Sequence, residues 1–103
     1  MEKVAFKMKL IQGYEDEYKK RHNEIWPELV ELLKKAGISD YTIFLDEETS
    51  TLFAVQKVDD KNDIELDKTE IMQKWWEHMA DIMDTNPDDS PVVIPLNKVF
   101  HLD

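Results

Sequence analysis

A chain of 103 residues, 42% hydrophobic and 10% aromatic, has the length for one domain with one core and not the composition of a disordered segment. It has no cysteine, which excludes both a disulfide framework and a zinc–thiolate site. Thirteen basic against 23 acidic residues leave a net charge of −10, which repels phosphate backbones and anionic lipid and argues against nucleic-acid or membrane partners.

The N-terminal "MEKVAFKMKLIQG" alternates apolar and charged residues and lacks the apolar core of a signal peptide. No apolar run approaches the roughly 18 residues of a membrane span, so one cytoplasmic domain over 1–103 is expected. Residues 3–11 read as a half-buried strand, with Val4, Phe6, Met8 and Leu10 on one face and Lys3, Ala5, Lys7 and Lys9 on the other. Helical spacing follows over 14–36, through Tyr14, Tyr18, His22, Ile25, Leu29, Leu32 or Leu33, and Ala36. Pro27 lacks an N–H and its ring collides with the Asn23 carbonyl, so the helix should kink or divide there. Gly37 is the expected stop, after Lys34 and Lys35 in the last turn.

"YTIFLD" (41–46) and "TLFAVQKV" (51–58) read as a hairpin around the turn "EETS", and "DDKND" (59–63) as a polar link. A second helix is expected over 65–83, capped by Asp67 or Thr69, with Met72, Trp75, Trp76, Met79, Ile82 and Met83 as its apolar stripe. "DTNPDDSP" (84–91) is a turn-rich loop, and a last strand is expected over 92–102, irregular or at an edge where Pro95 falls. The order β-α-β-β-α-β predicts an α+β, ferredoxin-like fold, a four-stranded antiparallel sheet with two helices on one face. Phe44 opposes Tyr41, Ile43 and Leu45 in parity, and Phe53 and Val55 oppose Leu52 and Ala54. A sheet apolar on both faces wants a second cover, which a partner subunit packed sheet to sheet would supply.

His22 has Tyr18 one turn before it and Ile25 one turn after it, so it faces inward beside the bend. The ordinary reading is a helix histidine satisfied by backbone or water; the functional one is a proton carrier that titrates near neutrality. Trp75 and Trp76 are adjacent, about 100° apart on a helix, so only one points squarely into the core. With Trp26, Tyr18 and Tyr41 they are either bulky filler or walls for a sugar ring. No metal site is expected, because the three histidines are widely spaced and "DTNPDDSP" lacks a calcium loop's glycine and terminal glutamate. With Gly13 and Gly37 the only glycines, a phosphate-cradling loop is excluded. The runs "EDE" and "DEE" read as solvated faces and turns.

Taken together, "YKKRHNEIWPEL", "YTIFLD", "KWWEHMADIMDTNPDDSPV" and "VFHLD" closely resemble the L-rhamnose mutarotase family, from Phe6 to Leu102. The motifs "RHNxIWPEL" and "WWxxMxDxMxxNPDxSP" are long and ungapped. The resemblance implies a homodimer of ferredoxin-like domains, a dimeric α+β barrel, that interconverts the α and β anomers of L-rhamnopyranose without cofactor or metal. It places the proton-donating histidine on His22 and the sugar contacts on Tyr18, Tyr41, Trp75 and Trp76. Residues 59–68 depart most from the family pattern and look shorter.

Anomerisation requires a proton at the ring oxygen as the anomeric hydroxyl loses one, and a histidine with a pKa near ~6.5 suits that exchange. Tyr18, Tyr41 or a bound water remain open as the group that takes the anomeric proton. The rival readings are a monooxygenase-like member of the same architecture and a non-catalytic sugar sensor. RNA binding is disfavoured by the charge and by the lack of an aromatic–basic strand motif.

Overall fold

Period-two patterning builds one antiparallel sheet from β1 (Glu2–Lys9), β2 (Ile38–Asp46), β3 (Thr51–Val58) and β4 (Ile94–Leu96), in the order β2-β3-β1-β4. The computed structural model describes residues 2–59 and 64–103. Strands β1 and β3 pair along their whole length, from Glu2 opposite Val58 to Lys9 opposite Thr51. Met8, Leu52 and Ala54 point into the core, with Phe6, Ile43 and Leu45 packed partly buried against them.

Strand β2 has one irregularity that matters for the site. The register with β3 shifts between Ser39 and Thr42, and Asp40 adopts a positive φ of 50°. Ile38 and Ile43 have opposite parity, yet both belong to the inward side; the extra residue of a bulge reconciles them. Tyr41 lies within that bulge.

The helical spacing over 14–36 does not survive as one helix. It divides into α1 (Glu15–Asn23) and α2 (Pro27–Lys35). Trp26 is extended (φ −66°, ψ 131°), the conformation that a following proline enforces, and Pro27 opens α2 where its missing N–H costs nothing. Both helices carry acidic residues in their first turn and basic ones in their last, as the helix dipole favours. Gly37 ends the pair with φ +80°, and its carbonyl accepts from the Asp59 N–H at 2.9 Å.

The second helical region is also divided, into a 3-10 turn at Leu66–Lys68, α3 (Glu70–Met79) and a 3-10 turn at Ala80–Ile82. Thr69 occupies the N-cap position but does not cap. Its hydroxyl donates to the Leu66 carbonyl at 2.6 Å, tying the turn to the helix. The described chain therefore has three α-helices where two were expected. Tyr18, Leu29, Trp75, Met79 and Ile82 bring all of them into one core with the inner sheet face. No described helix is long and apolar enough to cross a membrane.

The last strand is shorter than the 92–102 expected. Only Ile94–Leu96 pair with β1, and Pro95, opposite Phe6, has no N–H to give. Beyond it Val99, Phe100 and Leu102 are exposed. The expected polar link over 59–63 lies outside the described residues apart from Asp59.

After α3 the chain returns along the end of β1. Leu10 and Met83 form a bridge, the Ile11 N–H donates to the Ile82 carbonyl at 2.9 Å, and the Asp84 N–H donates to the Lys9 carbonyl at 3.1 Å. These bonds fix where loop 84–91 begins.

Candidate active site

The five side chains singled out in the sequence converge. Tyr18 and His22 from α1, Tyr41 from the β2 bulge, and Trp75 and Trp76 from α3 all line one cavity of about 70 Å³. Tyr18, His22, Tyr41 and Trp75 also line a groove of about 760 Å³ between α1, α2 and the edge strand β2, so the histidine stands where the two meet. That groove falls within the roughly 300–1,000 Å³ usual for small-molecule sites.

His22 is held by its own helix. Its Nδ1 lies 3.1 Å from the Tyr18 carbonyl. A carbonyl can only accept, so Nδ1 carries the hydrogen and Nε2 is left for a ligand. The ring packs over Tyr18 at 4.3 Å between centroids and meets Trp75 edge-on at 5.5 Å. Burial lowers its pKa below the ordinary histidine value, against the opposing pull of the Tyr18 hydrogen bond. Both tyrosines move the other way. Burial, and then Tyr41, push the Tyr18 hydroxyl well above the usual range, and burial lifts Tyr41 to about 12.

The tryptophans divide as their 100° separation demands. Trp75 is 6% exposed and meets Trp26 edge-on at 5.1 Å, with His78 at 5.5 Å, in the core; Trp76 is half-buried and lines only the smaller cavity. Among the described residues no three His, Asp or Glu side chains are grouped to hold a metal ion.

Three features escaped the sequence reading. Arg21 is a clamp: its Nε donates to Glu17 at 2.7 Å, while its Nη atoms reach the His78 carbonyl at 2.7 Å and Asp81 at 2.8 and 3.3 Å. It ties α1 to the end of α3, one residue before the histidine. The second feature is the loop 84–91, which supplies Thr85, Asp89 and Pro91 to the cavity wall. The third is the packing of His78 against Trp26 and Trp75. The loop's acidic and turn residues were visible, but only the return along β1 brings them to the cavity.

A sequence model of L-rhamnose mutarotase matches residues 3–102. The chain belongs to the L-rhamnose mutarotase family. An L-rhamnose mutarotase of Bacteroides thetaiotaomicron is 59% identical over 104 residues, covering all of both chains. One of Mesorhizobium japonicum is 59% identical over 98% of this chain and 97% of its own. The crystal structure of L-rhamnose mutarotase from Formosa agariphila superposes with a TM-score of 0.93 at 55% identity, with complete coverage of both chains.

Proposed function

We propose that this protein is a mutarotase that interconverts the α and β anomers of L-rhamnose, with His22 as the proton carrier. Family membership supports the reaction, and one observation carries the residue assignment. His22 has Nδ1 committed to a carbonyl of its own helix and Nε2 left for a ligand, in a cavity walled by two tyrosines and two tryptophans. The imidazolium donates from Nε2 to the ring oxygen as the C1–O5 bond breaks. The open-chain aldehyde turns about C1–C2, and on reclosure the ring oxygen returns the proton. A ring whose pKa is lowered by burial is a stronger acid when charged, which suits a weakly basic ether oxygen. A positioned acid of this kind contributes about 10²–10⁴ in rate. Trp76 offers an apolar face to the deoxy sugar, Tyr18 and Tyr41 offer hydroxyls, and no metal or cofactor takes part.

The assembly follows from the other sheet face. Phe44, Phe53, Val55, Ala5, Leu96 and Ile94 lie in two rows that cross the four strands by the observed register. Phe44 and Ile94 are 61% and 51% exposed in the single chain. A second copy packed on this face, the homodimer of ferredoxin-like domains forming an α+β barrel, would cover them.

Saturation-exchange NMR at the anomeric protons of L-rhamnose, with chelator present, tests the reaction. Exchange accelerated in proportion to protein is expected. Sugar binding without acceleration would leave a sugar-binding protein and refute the proposal. Sedimentation of the parent and of Phe44→Lys tests the assembly; a parent that runs as a monomer refutes it.

A further inference from the structure

The proposed reaction needs the imidazole of His22, on α1, to meet a sugar held against the tryptophans of α3. Two short helices must therefore keep one spacing, and α1 has little packing with which to keep it. Tyr18 is its one buried residue, and its N-cap Tyr14 makes no side-chain cap hydrogen bond. Three residues past α1 the chain is extended at Trp26, so α2 does not continue it. We infer that Arg21 is a positioning residue for this reaction: its fork onto the end of α3 fixes how His22 stands against the tryptophan wall. This role rests on the mutarotase reading above.

The geometry separates Arg21 from the chemistry and ties it to the scaffold. Adjacent helical residues point about 100° apart. With His22 turned to the cavity, Arg21 points elsewhere and lines neither the cavity nor the groove. Its Nε is spent on Glu17, one turn back on its own helix, at 2.7 Å. Its Nη atoms cross to the other helix. One reaches the His78 carbonyl at 2.7 Å and one Asp81 oxygen at 2.8 Å, and the other reaches the second Asp81 oxygen at 3.3 Å. A guanidinium paired two-to-two with a carboxylate fixes orientation as well as distance. His78 and Asp81 also bracket the point where α3 gives way to the 3-10 turn at Ala80–Ile82. The last carbonyls of a helix lack intrahelical partners, and a cation there is favoured. Arg21 and Asp81 both stand at specified positions of the two long motifs, and the proposed chemistry uses neither.

The fork closes a circuit around the imidazole. From Arg21 it passes to His78, whose ring packs against Trp75 at 5.5 Å between centroids. Trp75 meets the His22 ring edge-on at 5.5 Å, and His22 adjoins Arg21 in the chain. Trp76, the proposed apolar face for the sugar, follows Trp75 directly. Without the fork, α1 is free to slide or turn against α3, and Nε2 of His22 moves away from a sugar that Trp76 and Tyr41 still hold. The bond from His22 to the Tyr18 carbonyl travels with α1, so it does not correct the displacement. A misplacement of about 1 Å costs about 10²-fold in rate.

Anomeric exchange in L-rhamnose at saturating sugar, counted per folded molecule below each unfolding transition, tests this in the parent and three variants. Arg21→Met should lower it about 10-fold or more while the midpoint of the sugar-induced tryptophan fluorescence change stays within about threefold. Arg21→Lys keeps the charge without the fork and should fall between Arg21→Met and the parent. Gly37→Ala strains a joint that lines neither the cavity nor the groove, and should keep the parental exchange per folded molecule. Saturating exchange in Arg21→Met within about twofold of the parent overturns the assignment. Arg21→Lys at the parental rate overturns it too, since charge without the fork would then suffice. So does a midpoint that rises in step with the loss of exchange, because Arg21 would then serve binding. An equal loss in Gly37→Ala also overturns it, because any loosening of the fold would then be enough. A parent without acceleration overturns the reaction itself, and this role with it.

Discussion

Arg21→Met removes the fork that ties α1 to α3 while keeping an unbranched stem of similar length. In the folded protein the Arg21 side chain is 15% exposed, whereas those of its partners Glu17 and Asp81 are 39% and 66% exposed. Water therefore replaces much of what the two carboxylates lose, and each ion pair is worth about 0.3–1 kcal/mol. The bond to the His78 carbonyl, made by a charged donor, adds about 1.5 kcal/mol. Together the loss is about 2–3.5 kcal/mol, which for a domain of this size lowers Tm by about 10–16 °C. The Arg21 hydrogen bond holds the Asp81 carboxyl below its ordinary pKa. The contribution of that pair is therefore present above the ordinary carboxylate value and is lost as pH falls through the lowered one. Thermal and urea unfolding of Arg21→Met, Asp81→Asn and the double variant measure the coupling. A Tm unchanged within error at neutral pH, or single-variant effects that simply add, would refute the clamp.

The remaining expectations concern the cavity and one joint. His22→Gln should fold and lose most anomeric exchange; unfolding instead would make the ring a packing element. Because the folded pKa of His22 lies below 6.5, the unfolded chain binds its proton first as pH falls. The parent should lose stability from about pH 7 downward through this window, and urea titrations should show a flatter profile for His22→Gln. Trp75→Phe should cost about 1–2 kcal/mol of stability by urea unfolding. Trp76→Phe should cost less stability, remove much of the sugar-induced fluorescence change and weaken binding by roughly 1–3 kcal/mol. Equal stability losses with binding intact in each would mean the pair is filler. Gly37→Ala would combine a φ of +80° with a Cβ 2.8 Å from the Asp59 Cβ. It should cost about 1–3 kcal/mol, and a Tm unchanged within error would deny the close approach.

Local rules made some of this legible before any coordinates. Alternation over 3–11 forecast β1, because one face is packed and a slip would reverse it, and the turn "EETS" between two apolar runs forecast the β2–β3 hairpin. Pro27 forecast the break, since the missing N–H and the constraint on Trp26 act within a few residues. The sequence misled at the C-terminus. An apolar run looks the same whether it pairs within its own chain, as Ile94–Leu96 do, or stands exposed, as Val99 and Phe100 do. Tyr18, His22, Tyr41, Trp75 and Trp76 were found through motif resemblance, and their convergence is tertiary. Arg21 carried no sign because its role depends on Asp81, 60 residues away.

The hydrogen bond from His22 to the Tyr18 carbonyl spans a single helical turn. The proposed proton carrier is thus oriented by a bond within its own helix, with Trp75 of α3 packed edge-on against the ring. The walls around it come from elsewhere: Tyr41 from a strand bulge, the tryptophans from α3, and Asp89 and Thr85 from a loop. Apart from Tyr18, which shares α1 with His22, the cavity walls therefore lie on separate pieces of the chain. Exchanging the loop or recutting the bulge should retune which sugars fit while the proton carrier keeps its orientation, so altered sugar preference is to be sought in those walls.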